Sequence, residues 1–249
     1  MATGNQQMYP VPPSTGSSEA AIASADSYRI YPRRAGSNFG AVGLLSASVG
    51  LFGTSSTIEY FAGRIFYKIQ AANTTNGTTF GGFGGAAIDT FHLASAACKW
   101  TAVYTFKTPA ALTYVGNAWI GFSANTLTDV APASTPNDTI AVHWTSTGVL
   151  TLCTKATGAI SQAVVTGTLA AGTMYALEVK WDGTTAYARL ATIDATTGVI
   201  GTYGASASLA TNPPTSTTFL FPQMRSYQGN GPPAAQSMHY GLMECRLAA

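Results

Sequence analysis

Apolar and polar residues alternate with a period of two along much of the chain, which is the pattern of β-strands with one buried face. In the segment from Lys99 to Lys107, the large apolar residues Trp100, Tyr104 and Phe106 fall on one side. The same alternation predicts strands over residues 64–70, 139–144, 149–155 and 175–181, and further strand candidates lie at 27–31, 117–123, 219–224 and 237–247. Apart from an ambiguous window at 86–98, no helical repeat exceeds one turn. The pattern predicts an all-β fold, an antiparallel β-sandwich.

One hairpin is specified by its turn residues. Residues 175–181 alternate, and the Asp-Gly pair at 182–183 is typical of a two-residue hairpin loop. With that loop, Trp181 pairs with Thr184, all the large apolar side chains share one face, and Glu178 lies diagonally across from Arg189. A glycine-rich loop is predicted over residues 73–85.

The amino-terminal part differs from the rest, and we divide the chain into an extended arm over residues 1–56 and a sandwich domain over residues 57–249. Proline is frequent near the start and cannot continue a helix or a central strand. The arm is therefore predicted to anchor the protein to a partner. Its candidate contact residues are Pro10, Pro12, Pro13, Tyr28, Tyr31, Arg33 and Arg34. For the arginine pair, a solvated turn is the simpler interpretation.

Charge is scarce, since Asp, Glu, Lys and Arg make up 9% of 249 residues while hydrophobic residues make up 46%. This composition excludes a coiled coil, and a net charge of +2 gives no electrostatic basis for binding nucleic acid. The uncharged segment 35–58 has an apolar part over 41–52 only, too short to span a membrane. The first residues lack the charged and apolar regions of a secretory signal, so synthesis in a bacterial cytoplasm is expected.

The sequence points to no catalytic, cofactor or metal site. Glu178 and Asp182 share a strand face but stand about 13 Å apart, which favours salt bridges over glycoside hydrolysis. The histidines and cysteines lack metal-ligand spacing, and the three cysteines fit free thiols better than disulfides. One loop, bracketed by Asp129 and Asp138, is a minor candidate for calcium.

Three aromatic residues are candidates for stacking against a sugar because they lie outside the main apolar stripes. They are Tyr114, Trp119 and Tyr227. Packing in the core or in an interface is the simpler interpretation for each, since sandwiches commonly bury their aromatic residues.

From residue 57 to 247 the chain resembles the concanavalin A-like lectin and glucanase superfamily, which includes laminin-G-type modules. The resemblance rests on strand order, on the hairpin MYALEVKWDGTTAYARL and on the closing strand MHYGLMECRLA. It implies a jelly-roll sandwich that serves as a lectin, a glycan-cleaving enzyme or a structural module. The glucanase carboxylate pattern E-x-D-x-x-E is absent from this sequence, so the resemblance gives no support for an enzyme.

The composition also resembles that of virion structural proteins of tailed bacteriophages. We therefore expect a non-enzymatic capsid decoration or cement protein, located in the virion. Its expected partners are the major capsid protein or other virion proteins and further copies of itself, with no nucleic acid, no membrane and no cofactor. The alternatives are a tail or fibre component and a glycan-binding, lectin-like module used in host adsorption.

Overall fold

The structure is a computed structural model that describes residues 27–32, 39–42, 49–52, 55–70, 75–80, 98–125, 127, 131–135, 137–215, 220–228 and 238–248. Two antiparallel sheets face each other, as predicted. Sheet A consists of β1 (Ser27–Pro32), β2 (Phe39–Val42), β4 (Ser55–Phe61), β5 (Arg64–Gln70), β7 (Lys99–Lys107), β12 (Met174–Trp181), β13 (Ala186–Thr192), β14 (Ala207–Leu209) and β16 (Met238–Ala248). Sheet B consists of β3 (Val49–Phe52), β6 (Thr75–Phe80), β8 (Val115–Ser123), β9 (Thr139–Trp144), β10 (Val149–Lys155), β11 (Ile160–Thr168) and β15 (Phe221–Gln228).

The last strand, β16, organises sheet A. One edge of β16 pairs with β7. The opposite edge pairs with β5 in the first half of β16 and with β1 in its second half. The order across sheet A is β14-β13-β12-β7-β16-β1-β2, with β4 added to β5. Sheet B runs β11-β10-β9-β8-β15-β6-β3. Both sheets therefore join strands that are distant in sequence.

The boundary predicted at residue 56 needs correction, because three strands before it belong to the sandwich. In β1, Tyr28 pairs with Cys245 of β16, and β3 pairs with β6 in the other sheet. Backbone pairing with both sheets makes β1, β2 and β3 part of the sandwich, whose first described strand begins at Ser27. Tyr28 and Tyr31 lie in β1, where only the backbone is described. The other candidate arm residues, Pro10, Pro12, Pro13, Arg33 and Arg34, lie outside the described residues.

One further prediction is corrected: the predicted glycine-rich loop at 73–85 contains the strand β6. The ends of the uncharged stretch at 41–52 contribute to β2 and β3. Within the described part of the chain, no helix has the length and apolar character needed to cross a membrane.

The core fills the space between the sheets and contains the residues that the alternation assigned to it. The inward residues of β7, Trp100, Tyr104 and Phe106, are buried. The Phe106 ring stacks between Trp144, at a centroid distance of 5.4 Å, and Tyr175, at 5.7 Å. Burial of each such ring stabilises the fold by about 2 kcal/mol. The contact of Phe106 with Trp144 joins the two sheets, whereas Tyr175 is the neighbour of Phe106 within sheet A.

The hairpin of β12 and β13 has the predicted faces but a different register. Trp181 pairs with Ala186 and not with Thr184, so the loop has four residues, 182–185. A shift of two residues preserves which side chains face the core, because the side-chain period is two. It also places Glu178 directly opposite Arg189.

Each sheet carries a second apolar layer on its outer face. On sheet A this layer centres on Phe66, Met174, Ala176 and Ile193. On sheet B it contains Trp119, Leu127, Ala141 and Cys153. These outer layers determine which parts of the two faces remain available to other molecules.

Candidate interaction surfaces

Charged residues are divided unequally between the two sheets. In the strands of sheet B, Lys155 and Arg225 are the only residues of the types Asp, Glu, Lys and Arg, and both are buried. The strands of sheet A contain Arg29, Glu59, Arg64, Lys68, Lys99, Lys107, Glu178, Lys180, Arg189, Glu244 and Arg246. Within the described strands, an ionic contact with a partner would therefore have to use sheet A.

An ionic cluster of Glu59, Lys68, Lys107 and His239 lies on the outer face of sheet A. The Glu59 carboxylate accepts one hydrogen bond from Lys68 Nζ at 2.9 Å and another from His239 Nε2 at 2.9 Å. The Lys107 ammonium lies 4.4 Å from the centre of the Phe61 ring, whose edge contact with His239 has a centroid distance of 5.2 Å. The cluster ties the β4–β5 hairpin to β16 and β7.

The electrostatics of this cluster favour a structural role. Burial lowers the pKa of His239 more than the Glu59 carboxylate raises it, so the imidazole is neutral at pH 7 and donates from Nε2. Burial alone would raise the pKa of Glu59, but the hydrogen bonds from Lys68 and His239 outweigh it and lower that pKa. His239 Nδ1, the atom that could act as a base, is buried without a hydrogen-bond partner. A substrate proton could not reach it.

A second ion pair joins the two strands of the β12–β13 hairpin. Glu178 accepts two hydrogen bonds from Arg189, at 2.6 Å and 3.0 Å, and the Arg189 guanidinium lies 4.7 Å from the centre of the Tyr203 ring. The hydrogen bond from Arg189 to Glu178 raises the pKa of Arg189. The predicted salt bridge between Glu178 and Arg189 is confirmed, and both Glu178 oxygens are engaged by Arg189. Lys180 instead lies over the Tyr187 ring, with its Nζ 5.5 Å from the ring centre.

Asp182, the other carboxylate considered for catalysis, organises the hairpin loop. Its Oδ1 accepts backbone hydrogen bonds from Thr184 and Thr185, and its Oδ2 accepts the Tyr187 hydroxyl. Slight burial would raise the pKa of Asp182, but these hydrogen bonds outweigh it and lower the pKa to about 2. A carboxylate that is ionised throughout the neutral range cannot act as a general acid.

On the outer face of sheet B, a loop folds over the strands. Leu127 is fully buried there, and its backbone N–H donates to Gln223 Oε1 at 2.9 Å. The buried Lys155 donates from Nζ to the carbonyl oxygen of Thr135. Leu127 and Thr135 therefore lie against this face of sheet B, and the Thr135 carbonyl supplies the hydrogen-bond partner of the buried Lys155.

Of the predicted sugar-stacking residues, Trp119 and Tyr227 lie on the paired strands β8 and β15, and Tyr114 lies directly before β8. Trp119 is on the outer face of sheet B and is 0% exposed, so a sugar cannot stack on it and packing is the interpretation that fits. Tyr114 is half-buried in the 3-10 turn Leu112–Tyr114. Tyr227 lies in β15, and its side chain is outside the described residues.

The described residues contain no group of three or more His, Cys, Asp or Glu side chains arranged to hold a metal ion. Of the calcium candidates, Asp129 lies outside the described residues, and Asp138 Oδ1 accepts the backbone N–H of Thr215 at 2.8 Å. Cys98, Cys153 and Cys245 are free thiols, and the latter two are buried.

The edge strand β11 is a feature that the alternation did not predict. Its nine residues, ISQAVVTGT, carry no charge, and within the described structure it pairs with β10 alone. Val164 on this strand is 67% exposed, and Val149 on β10 is 41% exposed. The sequence did contain one indication of this strand, namely the two adjacent β-branched residues Val164 and Val165 shortly after a turn at 156–158. The apolar and polar residues of β11 do not alternate, however, so the two-residue period could not reveal it.

No protein-family model and no curated protein matches this sequence. Among solved structures, a protein of unknown function from Shewanella oneidensis MR-1 superposes with a TM-score of 0.57 at 15% identity, covering 90% of this chain and 87% of that one. The receptor binding domain of botulinum neurotoxin mosaic serotype C/D superposes with a TM-score of 0.55 at 9% identity, covering 90% and 47%. Trypanosoma rangeli sialidase superposes with a TM-score of 0.50 at 9% identity, covering 89% of this chain and 31% of the sialidase chain.

These similarities, together with the two antiparallel sheets, define the fold as a lectin-like, concanavalin A-like β-sandwich. The chain spans less than half of the toxin chain and about a third of the sialidase chain. At such low identity the likeness shows the fold alone, and one fold of this kind can support unrelated functions.

Proposed function

We propose that this protein is a non-enzymatic structural protein of a tailed-phage virion that decorates and cements the capsid. The observation that supports the proposal is the scarcity of exposed charge. Among the described side chains, the exposed charged residues are Lys99, Lys180, Asp194 and Arg246. Soluble monomers normally present many more charges to water.

Several of the ionic groups, including the exposed Arg246, neutralise each other on the protein's own surface. Glu178 pairs with Arg189, Glu244 pairs with Arg246, and Glu59 pairs with Lys68. Contact with another protein would therefore desolvate few unpaired charges. The exposed Ser, Thr, Ala and Gly residues lose little side-chain entropy when they are covered. Both properties suit a surface that stays in contact with neighbouring subunits.

We propose the anchoring role for residues 1–26, because residues 27–32 form β1 and pair with β16 in sheet A. A variant that lacks residues 2–26 retains every described strand. We expect it to fold and to bind purified virions at least about 10-fold more weakly than the full chain, since strand or arm contacts supply much of the affinity in such docking. Cosedimentation with virions would measure this, with near-ultraviolet circular dichroism as the folding control.

The direct test is to purify virions from cells that produce this chain and to locate it by electron microscopy. Density for the sandwich on the outside of the capsid, in a fixed ratio to the major capsid protein, is the expected result. Density at the tail would support the tail or fibre alternative. Absence of the chain from purified virions would contradict the proposal.

Glycan binding in host adsorption is the competing function, and the described residues give it little support because Trp119 is buried. A glycan array probed with the full chain distinguishes glycan binding from the cement function. Binding that is lost on Tyr114→Ala or Tyr227→Ala would favour a lectin-like module over a cement protein.

A further inference from the structure

The free edges of the two sheets differ in length and charge. In the described structure, the edge strands β2 and β3 have four residues each, and β14 has three. The edge strand β4 has seven residues and includes Glu59. β11, with nine residues and no charge, is the longest. Natural proteins usually shorten or charge their edges to prevent pairing, and β11 has neither protection along its length.

The regular part of this edge is five residues long. Residues Ile160 to Val164 pair in unbroken register with Lys155 to Thr151, and the register shifts after Val164. Gly167, with φ +109°, lies in the irregular part. The regular part is centred on Gln162, with Ile160 and Val164 two residues away on either side.

The edge is also held in place from the side of sheet A. The Ser161 hydroxyl accepts hydrogen bonds from Thr211 Oγ1 at 2.7 Å and from Asn212 Nδ2 at 2.9 Å. Since these contacts fix the strand before any partner arrives, pairing would cost little additional backbone entropy.

We propose that β11 pairs in antiparallel fashion with β11 of a second copy of this chain, about a two-fold axis through Gln162. This deepens the proposed function by naming one partner of the assembling chain. The axis places Ile160 opposite Val164 of the second copy and joins the two copies of sheet B into one continuous sheet. A second copy is favoured over an unrelated strand because the edge is self-complementary: each copy offers an apolar residue opposite another, and no like charges meet.

Five paired residues make a small interface, so the pairing should be weak in dilute solution. It would strengthen on a particle, where neighbouring copies are held at high local concentration. A covalent trap is therefore the appropriate test, because it records contacts that exist only part of the time.

The test uses Gln162→Cys, which the two-fold axis places opposite itself with Cβ atoms about 5 Å apart. Thr168→Cys on the same strand is the matched control, because it lies beyond the regular register. The wild-type chain measures the background from its three native cysteines. Under mild oxidation of the full chain, we expect disulfide-linked dimers to form at least about 10-fold faster with Gln162→Cys than with Thr168→Cys.

A second substitution checks that the pairing uses this edge. Val164→Lys, added to Gln162→Cys, should slow dimer formation about 10-fold because it places a charge on the edge. Val199→Lys is the control, since Val199 is 62% exposed and lies outside β11. Equal rates for Gln162→Cys and Thr168→Cys, or a rate unaffected by Val164→Lys, would overturn the inference. If the chain is found on virions but Gln162→Cys does not cross-link there, this pairing fails and the proposed function stands.

Discussion

The His143 imidazole lies against the Trp119 indole, with ring centroids 4.5 Å apart, on the face of sheet B turned away from the core. The two residues are directly paired between β8 and β9. His143 Nε2 is 2.8 Å from Asn117 Oδ1, and the side chain is 6% exposed. Burial lowers the pKa of His143 from 6.5 to about 4. The outer layer of sheet B thus depends on a neutral histidine.

The free energy of unfolding should fall as the pH falls from 6.5 to about 4. In this window the unfolded chain binds a proton at His143 that the folded chain does not bind, and the loss approaches about 1.4 kcal/mol per pH unit. His239 acts in the same direction, because its pKa is also lowered. Urea unfolding at pH 7.0, about 5.5 and about 4.5 measures the slope. His143→Gln should reduce the slope, and an unchanged slope would show that His143 does not contribute.

Gly121→Ala should prevent stable folding. Gly121 has φ +151°, and a Cβ atom there would lie 2.5 Å from both the Cα of Ala141 and the carbonyl oxygen of Ile140. These are backbone atoms of the neighbouring strand and cannot move without breaking the pairing, so we expect a loss of more than about 3 kcal/mol. Gly158→Ala is the control, since its φ is +86° with nothing within 4 Å, and it should cost about 1 kcal/mol. Comparable costs for the two variants would contradict the steric argument.

Lys155→Met should loosen the segment 131–135, which contains the hydrogen-bond partner of Lys155. The substitution keeps most of the apolar stem but removes the hydrogen bond to the Thr135 carbonyl, which then stays buried without that partner. We expect a loss of about 1–3 kcal/mol and faster hydrogen exchange at the Ser134 and Thr135 amides. Lys180→Met, at an exposed lysine, should change stability by less than about 0.5 kcal/mol. Unchanged exchange rates in Lys155→Met would mean that other contacts hold this segment.

Asp182→Ala should destabilise the β12–β13 hairpin, because two backbone N–H groups and the Tyr187 hydroxyl lose their acceptor. We expect a loss of about 1 kcal/mol, the usual cost of losing such a side-chain cap. Asp182→Asn retains a carbonyl oxygen for the backbone donors and should lose less. Thermal unfolding of the three proteins at pH 7 provides the comparison. If Asn is as harmful as Ala, the negative charge rather than the hydrogen bonds stabilises the loop.

Much of the strand structure could be predicted from the sequence. The bounds of β7 and β10 agree with the alternation, and those of β8, β12 and β16 differ by one or two residues. These strands have one face in the core between the sheets, so apolar side chains recur at every second position. β11 was missed because its pattern, with the pair Val164-Val165, does not alternate.

The register of the β12–β13 hairpin shows where local signals become insufficient. The Asp-Gly pair correctly marked the turn, but the Asp182 side chain accepts hydrogen bonds from two residues further on and extends the loop to four residues. The choice between two and four residues depends on side-chain hydrogen bonds that the dipeptide alone does not reveal. The prediction of which side chains face the core is still correct, because the two registers differ by two residues and therefore keep the same alternation.

The sequence by itself determined the all-β class, the core faces of the main strands and the scarcity of charge, because these follow from composition and from the two-residue period of a strand. Only the tertiary structure decided that β1, β2 and β3 belong to the sandwich, that charged strand residues gather on sheet A and that β11 is an edge of the described sheet B. Each of these depends on which distant strands pair, such as β1 with β16 and β3 with β6. Strand partners are selected by packing across the whole domain, and no local pattern encodes that choice.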